Sequence, residues 1–289
     1  MVCDSESTEY INYCIVSCSA ISTLCSGFII YLSFQKAFDK LTLRLLYHLA
    51  INDIIRSTCL ILCIFCTDDL LRKIISPFYL YSLLSNLFWT LYLSTTLYLS
   101  IVKGKTNQED YYKYWLIVNY IFLLGLCFVP FTTNSYGLSN NICTLKINQS
   151  SFKWKIIVNY AYIPLITAVD IILYVLIYNY LKKLDTNATK GIILERGFIY
   201  IILIIAQYIP FVVISIFILE DKSCLSNLLQ GCMHIMISLH GLCNFIPILL
   251  KSQGRKVIRK LVFLQAKHEL TSLESSLDIL NSRDMESNE

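Results

Sequence analysis

Seven apolar runs divide this chain of 289 residues, and basic residues gather on alternate connections between them. The runs cover residues 11–33, 45–66, 77–102, 114–131, 156–180, 197–219 and 228–250. A bilayer's hydrocarbon core is about 30 Å thick and takes roughly 20 apolar residues as helix. Backbone in lipid has no water to bond, so each run must satisfy its own N–H and C=O groups as helix. A soluble amphipathic helix keeps a polar face, and most of these runs lack one. Composition agrees: the chain is 56% hydrophobic and 15% charged, against about 25% charged in soluble domains. The expected fold is an all-α membrane protein, a seven-transmembrane helix bundle over residues 11–250.

Orientation follows from the charges. Lys36, Lys40 and Arg44, then Lys103, Lys105 and Lys113, then Lys182, Lys183, Lys190 and Arg196, and finally Lys251, Arg255, Lys256, Arg259 and Lys260 place 15 basic residues on one side. The other side holds 6: Arg72, Lys73, Lys146, Lys153, Lys155 and Lys222. The richer side is cytoplasmic. Residues 1–10 are then a short outer N-terminus without the basic start of a cleavable signal peptide, and the C-terminus is cytoplasmic. The excess of positive charge faces anionic lipid and is no sign of nucleic-acid binding. A multi-pass protein, placed at the plasma membrane, is the expectation.

After the last run, 251–264 alternates basic residues with Val257, Ile258, Leu261 and Val262 at helical spacing, which predicts an amphipathic helix on the membrane surface. Residues 265–289 are rich in Ser, Glu and Asn and predict a largely disordered tail. Of twelve cysteines, eight fall inside the runs as small packing residues. Cys3, Cys66, Cys143 and Cys224 lie at or beyond the outer ends, where oxidation is allowed. Asn148-Gln149-Ser150 is a glycosylation sequon on the outer side, whereas Asn187-Ala188-Thr189 falls in an inner connection and should be silent.

Polar residues inside the runs are the candidates for function. Asp53 and Arg56 interrupt the second run, and each charge at mid-helix costs about 2.5–3.5 kcal/mol on insertion scales. Three apart, they share a helix face and can pair. Such a pair either merely permits insertion or forms a polar switch inside a bundle, and an acid at that depth favours the switch for Asp53. In the seventh run, Gly241 permits close helix approach and Asn244 offers an amide to a neighbour. Pro164, Pro210 and Pro247 mark hinges, and Asp170 is a third intramembrane acid. His234 and His240 share no stripe and have no acid nearby in sequence, so neither a metal site nor another cofactor is expected. Phosphate-binding loops, HExxH, Gly-x-Ser-x-Gly and paired Cys-x-x-Cys motifs are absent, and the chain is not expected to be an enzyme.

Four local strings carry a resemblance. They are Asn52-Asp53-Ile54-Ile55-Arg56-Ser57; Phe88-Trp89-Thr90-Leu91 with Leu97-Tyr98-Leu99-Ser100 and Tyr111-Tyr112-Lys113-Tyr114; Tyr136-Gly137 before Cys143; and Ser238-Leu239-His240-Gly241 before Asn244. In this order, over roughly residues 11–262, the chain resembles the slime-mould cyclic-AMP receptor-like family, the class E G-protein-coupled receptors and their protist relatives. It departs from that family in having no cysteine between residues 75 and 82, no tryptophan beside Cys143, and Ile101-Val102-Lys103 at the end of the third run.

The resemblance implies a receptor that passes an extracellular signal to a heterotrimeric G protein by helix rearrangement, its ligand left open. It implies a ligand pocket reached from outside, with Trp89, Asp170, Gln207 and His234 as candidates. Lys103, Lys105, Lys182, Lys183, Arg196, Arg255 and Lys256 would face the G protein. The family's usual cysteine on the third span is missing, so Cys143 would pair with Cys66 or Cys224, or stay free. The adjacency of spans 2 and 3 in that fold favours Cys66. The competing class is a transporter or channel, which would need a continuous polar path linking Asp53, Arg56 and Asp170.

Overall fold

The computed structural model describes residues 5–34, 40–104, 108–139, 142–146, 149–183, 206–210, 213–214 and 224–250. The surface helix expected at 251–264, the tail beyond it and most of the sixth run lie outside these residues. One compact unit spans Met1–Pro247, and a second runs from Ile248 to Glu289.

The described chain is almost wholly helical. The first three helices are α1 (Ser5–Phe34), α2 (Lys40–Phe65) and α3 (Asp69–Ile101). A continuous helical stretch follows: α4 (Gln108–Ile117), a π-helical turn π1 (Val118–Leu123) and α5 (Leu124–Thr132). A hairpin, β1 (Tyr136–Ser139) and β2 (Ile142–Leu145), leads into a second such stretch. That stretch is α6 (Gln149–Lys155), π2 (Ile156–Tyr162) and α7 (Ile163–Lys183). Last come α8 (Cys224–Ser238) and α9 (His240–Leu250).

Five stretches are long and apolar enough to cross a membrane: Glu9–Phe34, Arg44–Phe65, Asp69–Ile101, Tyr111–Thr132 and Phe152–Lys183. They correspond to the first five runs. Their exteriors are apolar: Leu24, Ile121, Phe122 and Leu165 are each more than 60% exposed. Their interior combines apolar clusters with polar groups, among which Asn52, Asp53, Arg56, Ser85, Asn86 and Asn119 are completely buried. Keeping the charged and amide groups inside, away from the apolar exterior, is the arrangement that a hydrocarbon solvent favours.

Helix α3 is the axis of the bundle. It packs on α2, α5, α7 and the hairpin, while α1 lies against α2 and α8. Ser76, Ser82, Ser85, Asn86, Thr90, Ser94 and Thr96 put polar groups around its circumference, all buried. The helix begins eight residues before the sequence reading placed it. Asp68 caps it by accepting from the Leu70 N–H at 2.9 Å, and Asp69 pairs with Lys73 at 3.0 Å. An acid in the first turn complements the helix dipole, so the 67–76 connection shrinks to residues 66–68.

The expected hinges behave differently from one another. Pro164 is the second residue of α7, directly after π2. The wider π turn accommodates a ring that would otherwise strike the carbonyl of residue 160. In the seventh run the discontinuity falls at Leu239, whose N–H is shared between the Ile235 and Met236 carbonyls at 3.2 and 3.3 Å. It is not at Pro247, which α9 passes to end at Leu250. Pro210 lies among the described helical residues 206–210, and the residues that follow it, 211–212, lie outside the described ones.

The hairpin caps one end of the bundle. Asn134, in the left-handed region at φ 50°, ends α5 and turns the chain into β1. Leu138 pairs with Cys143 across the hairpin, and Ile142 and Cys143 sink among Ile15, Cys59, Leu60, Ile75 and Tyr79. Cys143 is bridged to Cys63, with Cα atoms 5.7 Å apart. This corrects the favoured pairing with Cys66, which is free and whose thiol lies 3.6 Å from the Asp68 carbonyl. Span 2 does supply the partner. It does so one turn further in, because β2 dips into the bundle and does not lie over its rim.

Candidate functional site

Asp53 is the centre of a buried polar hub joining three helices. Its Oδ1 accepts from Arg56 Nη2 at 2.6 Å, from Asn86 Nδ2 at 2.8 Å and from His240 Nδ1 at 2.9 Å. Its Oδ2 accepts from Asn244 Nδ2 at 2.8 Å. None of the five residues is more than 5% exposed. The one-turn spacing on α2 makes the ion pair, as the sequence predicts. The His240 contact fixes a tautomer: an ionised carboxylate only accepts, so Nδ1 carries the hydrogen that faces it. The Asn244 amide nitrogen, 2.9 Å from the same Nδ1, is then a second donor to the same carboxylate.

Gly241 sets how closely α9 approaches α1. Its N–H donates to Ser22 Oγ at 3.0 Å. A Cβ there would lie 2.5 Å from the Ser22 and Ser26 hydroxyls and 2.6 Å from the Ser22 carbonyl oxygen. Only glycine lets the helices meet at this distance, and the meeting sets His240 and Asn244 against Asp53.

Beside the hub runs a second chain of hydrogen bonds. Asn52 donates to Ser85 Oγ at 2.7 Å, and Ser85 and Tyr81 both donate to Asn119 Oδ1, at 2.8 and 2.7 Å. It ties α2 and α3 to π1.

Asp170 occupies a separate place, between α7 and α3. Its carboxylate meets Ser94 Oγ at 2.5 Å and Thr90 Oγ1 at 3.2 Å. The same hydroxyls lie 3.0 and 2.7 Å from the Leu91 and Leu87 carbonyls. No salt bridge among the described residues reaches Asp170. Thr90 is one turn along α3 from Asn86, yet no hydrogen bond among the described residues joins the Asp170 cluster to the hub.

Trp89, Asp170, Gln207 and His234 have separate sets of partners. Trp89, fully buried, stacks on His48 with ring centroids 4.2 Å apart and planes 1° from parallel. His48 Nδ1 and Nε2 each meet a tyrosine hydroxyl at 2.7 Å, Tyr120 and Tyr112, and Arg44 lies over the Tyr112 ring at 4.7 Å. This aromatic cluster belongs to α2, α3 and the α4–π1 stretch. His234 pairs with Tyr79 at 3.1 Å, ten residues along α3 from Trp89, or roughly 15 Å at helical rise. Gln207 meets the Cys243 thiol.

Sequence reasoning missed Asn86, His48 and the role of His240. Ser82, Asn86 and Thr90, each four residues from the next in an apolar run, were the available signal for Asn86. The acid that His240 faces lies 187 residues away in sequence. Of the residues expected at a G protein, Lys103, Lys182 and Lys183 are exposed at the ends of α3 and α7. Lys105, Arg196, Arg255 and Lys256 lie outside the described residues, as does Asn148. Among the described residues no group of three or more His, Cys, Asp and Glu side chains is placed to hold a metal ion. Neither protein-family models nor curated proteins give a match to this chain.

Proposed function

We propose that this protein is a seven-span receptor of the cyclic-AMP-receptor-like class, with its N-terminus outside the plasma membrane, passing an extracellular signal to a heterotrimeric G protein. The observation that carries the reading is the hub. One buried acid holds donors from α2, α3 and α9 at once, inside helices whose exteriors suit lipid. Buried networks of this kind have few stable arrangements, since each partner lost leaves an unsatisfied group at a cost of about 1–3 kcal/mol. They therefore favour discrete states over gradual deformation. A ligand shifts such states only through different affinities for them.

The inner ends of α3 and α7, with Lys103, Lys182 and Lys183 exposed, would form part of the G-protein face. Lys105, Arg196, Arg255 and Lys256 would complete it. The test is reconstitution of the purified chain in lipid, with guanine-nucleotide exchange measured on added heterotrimeric G proteins and solute flux measured in liposomes. Accelerated exchange without flux supports the receptor. Flux of ions or small solutes without any exchange would replace it by a transporter or channel.

A further inference from the structure

The hairpin belongs to a connection between two spans, yet its side chains lie in the core. Tyr136, Ile142, Cys143 and Leu145 are each no more than 2% exposed. Connections ordinarily run over the surface, because buried backbone needs partners. Here β1 and β2 bond to one another as an antiparallel pair, which lets the hairpin sink. Tyr136 and Leu145 join an apolar cluster with Leu80, Leu84, Val158 and Ile163, from α3, π2 and α7. Ile142 and Cys143 join a second, with Ile15, Leu60, Ile75 and Tyr79, from α1, α2 and α3. Two anchors hold this seat. One is the Cys63–Cys143 bridge to α2, and the other is the Tyr136 hydroxyl, which donates to the Cys127 carbonyl of α5 at 2.5 Å.

From this seat a series of contacts leads to the hub. Tyr79 packs in the cluster of Ile142 and Cys143, and its hydroxyl lies 3.1 Å from His234 Nδ1 on α8. Ile235, the next residue of α8, packs on the same cluster. Helix α8 passes through the shared N–H of Leu239 into α9, where His240 and Asn244 meet Asp53. Packing, one hydrogen bond and one helix junction therefore join the hairpin to the buried acid.

We propose that the hairpin is a tethered occupant of the outer part of the bundle. Tyr136, Ile142 and Leu145 fill the ground between the spans that a ligand arriving from outside would have to enter. Seated against Tyr79, the hairpin holds α8, and through it the contacts of His240 and Asn244 with Asp53. The inference deepens the receptor reading and rests on it for its consequence. The external signal acts by shifting the hairpin between a seated and a lifted state, through different affinities for the two. The bridge at Cys143 keeps the lifted hairpin attached, so reseating is intramolecular and needs no free molecule.

The test uses the full chain in lipid nanodiscs and a charged, water-borne maleimide, with alkylated cysteines located by peptide mass mapping. Cys59 is free, buried and a member of the cluster that holds Ile142, so its alkylation rate reports lifting of the hairpin. Cys25, ten residues along α1 from Ile15, or roughly 15 Å at helical rise, reports general unfolding. Ile142→Ala should speed alkylation of Cys59 at least about tenfold, within what loss of most of a buried isoleucine allows, and leave Cys25 unchanged. The double variant Cys63→Ser/Cys143→Ser should speed it further. If Cys25 also reacts in Ile142→Ala, the milder Ile142→Val takes its place, with a smaller change in the same direction. Cys59 protected equally in the parent and in both kinds of variant overturns the occupant. The coupling is read as basal nucleotide exchange on added G protein in the same nanodiscs. Ile142→Ala should change that rate, and the change should disappear in a Tyr79→Phe background, which keeps the ring and removes the hydroxyl beside His234. Active exchange that ignores the hairpin variants overturns the coupling. Absence of exchange in every form, with Cys59 behaving as expected, sinks the receptor reading and leaves the occupant standing.

Discussion

Asp53 and Arg56 are each intelligible only through the other. Removing one partner of a buried ion pair leaves an uncompensated charge, a loss of about 3–5 kcal/mol, whereas removing both together is often nearly neutral. Asp53→Asn and Arg56→Gln should therefore each lower the unfolding temperature markedly, and the double variant should recover much of the loss. Additive losses in the thermal unfolding of the three variants would show that the pair does not act as a unit. Asp170 sets the contrast. Its carboxylate meets two hydroxyls and no basic partner among the described residues, so its ionised form is costly to bury. An asparagine there can donate to hydroxyls that themselves donate to the α3 carbonyls. Asp170→Asn should keep the unfolding temperature within the equivalent of about 1 kcal/mol or raise it. A loss as large as that of Asp53→Asn would contradict this account.

Among the elements, α9 depends most on a single side chain being absent. A methyl group at position 241 would meet the α1 backbone, the Ser22 carbonyl, at 2.6 Å, and backbone cannot swing aside as a side chain can. Gly241→Val should push α1 and α9 apart and carry His240 and Asn244 off Asp53. The expected result is a loss of at least about 2 kcal/mol, in the range of overpacked cores and broken hydrogen bonds together. Folded yield and unfolding temperature in lipid measure it, and parental values would show that α1 yields freely. Much of this site was legible in the sequence. The cost of charge at depth singled out Asp53, the spacing gave its pairing with Arg56, and small and amide residues in an apolar run gave Gly241 and Asn244. His240 and His48 were not legible, because each is defined by partners far along the chain and a single sequence shows only near neighbours. The start of α3 was misplaced because hydropathy does not register a cap made by Asp68 and Asp69.

For the whole molecule, the charge distribution is the sequence feature with the widest reach. Five of the seven runs have become single long apolar stretches, and the seventh is divided between α8 and α9. If the basic side is cytoplasmic, as proposed, the hairpin and the connection around it face outward. Asn148 should then carry glycan and Asn187 none. Glycosidase should increase the gel mobility of the protein made in eukaryotic cells, and Asn148→Gln should abolish that shift. A shift that depends on Asn187 would turn the molecule over in the membrane and move the hairpin to the cytoplasm.

The Cys63–Cys143 bridge turns part of the chain into a closed loop. With a sequence separation of 80, it encloses all of α3, α4, π1, α5 and β1. Every connection inside that loop is thereby backed by a second covalent route. A single protease cut after the exposed Lys103 should leave a protein that migrates intact without reductant and falls into two pieces with it. Cys63→Ser should fall apart under both conditions, and Cys66→Ser should behave like the parent. If Cys66→Ser were the variant that fell apart, the loop would close one turn further out. The axis of the bundle is in this sense held as a ring with tails, so damage to the connection between α3 and α4 need not separate the two halves of the hub.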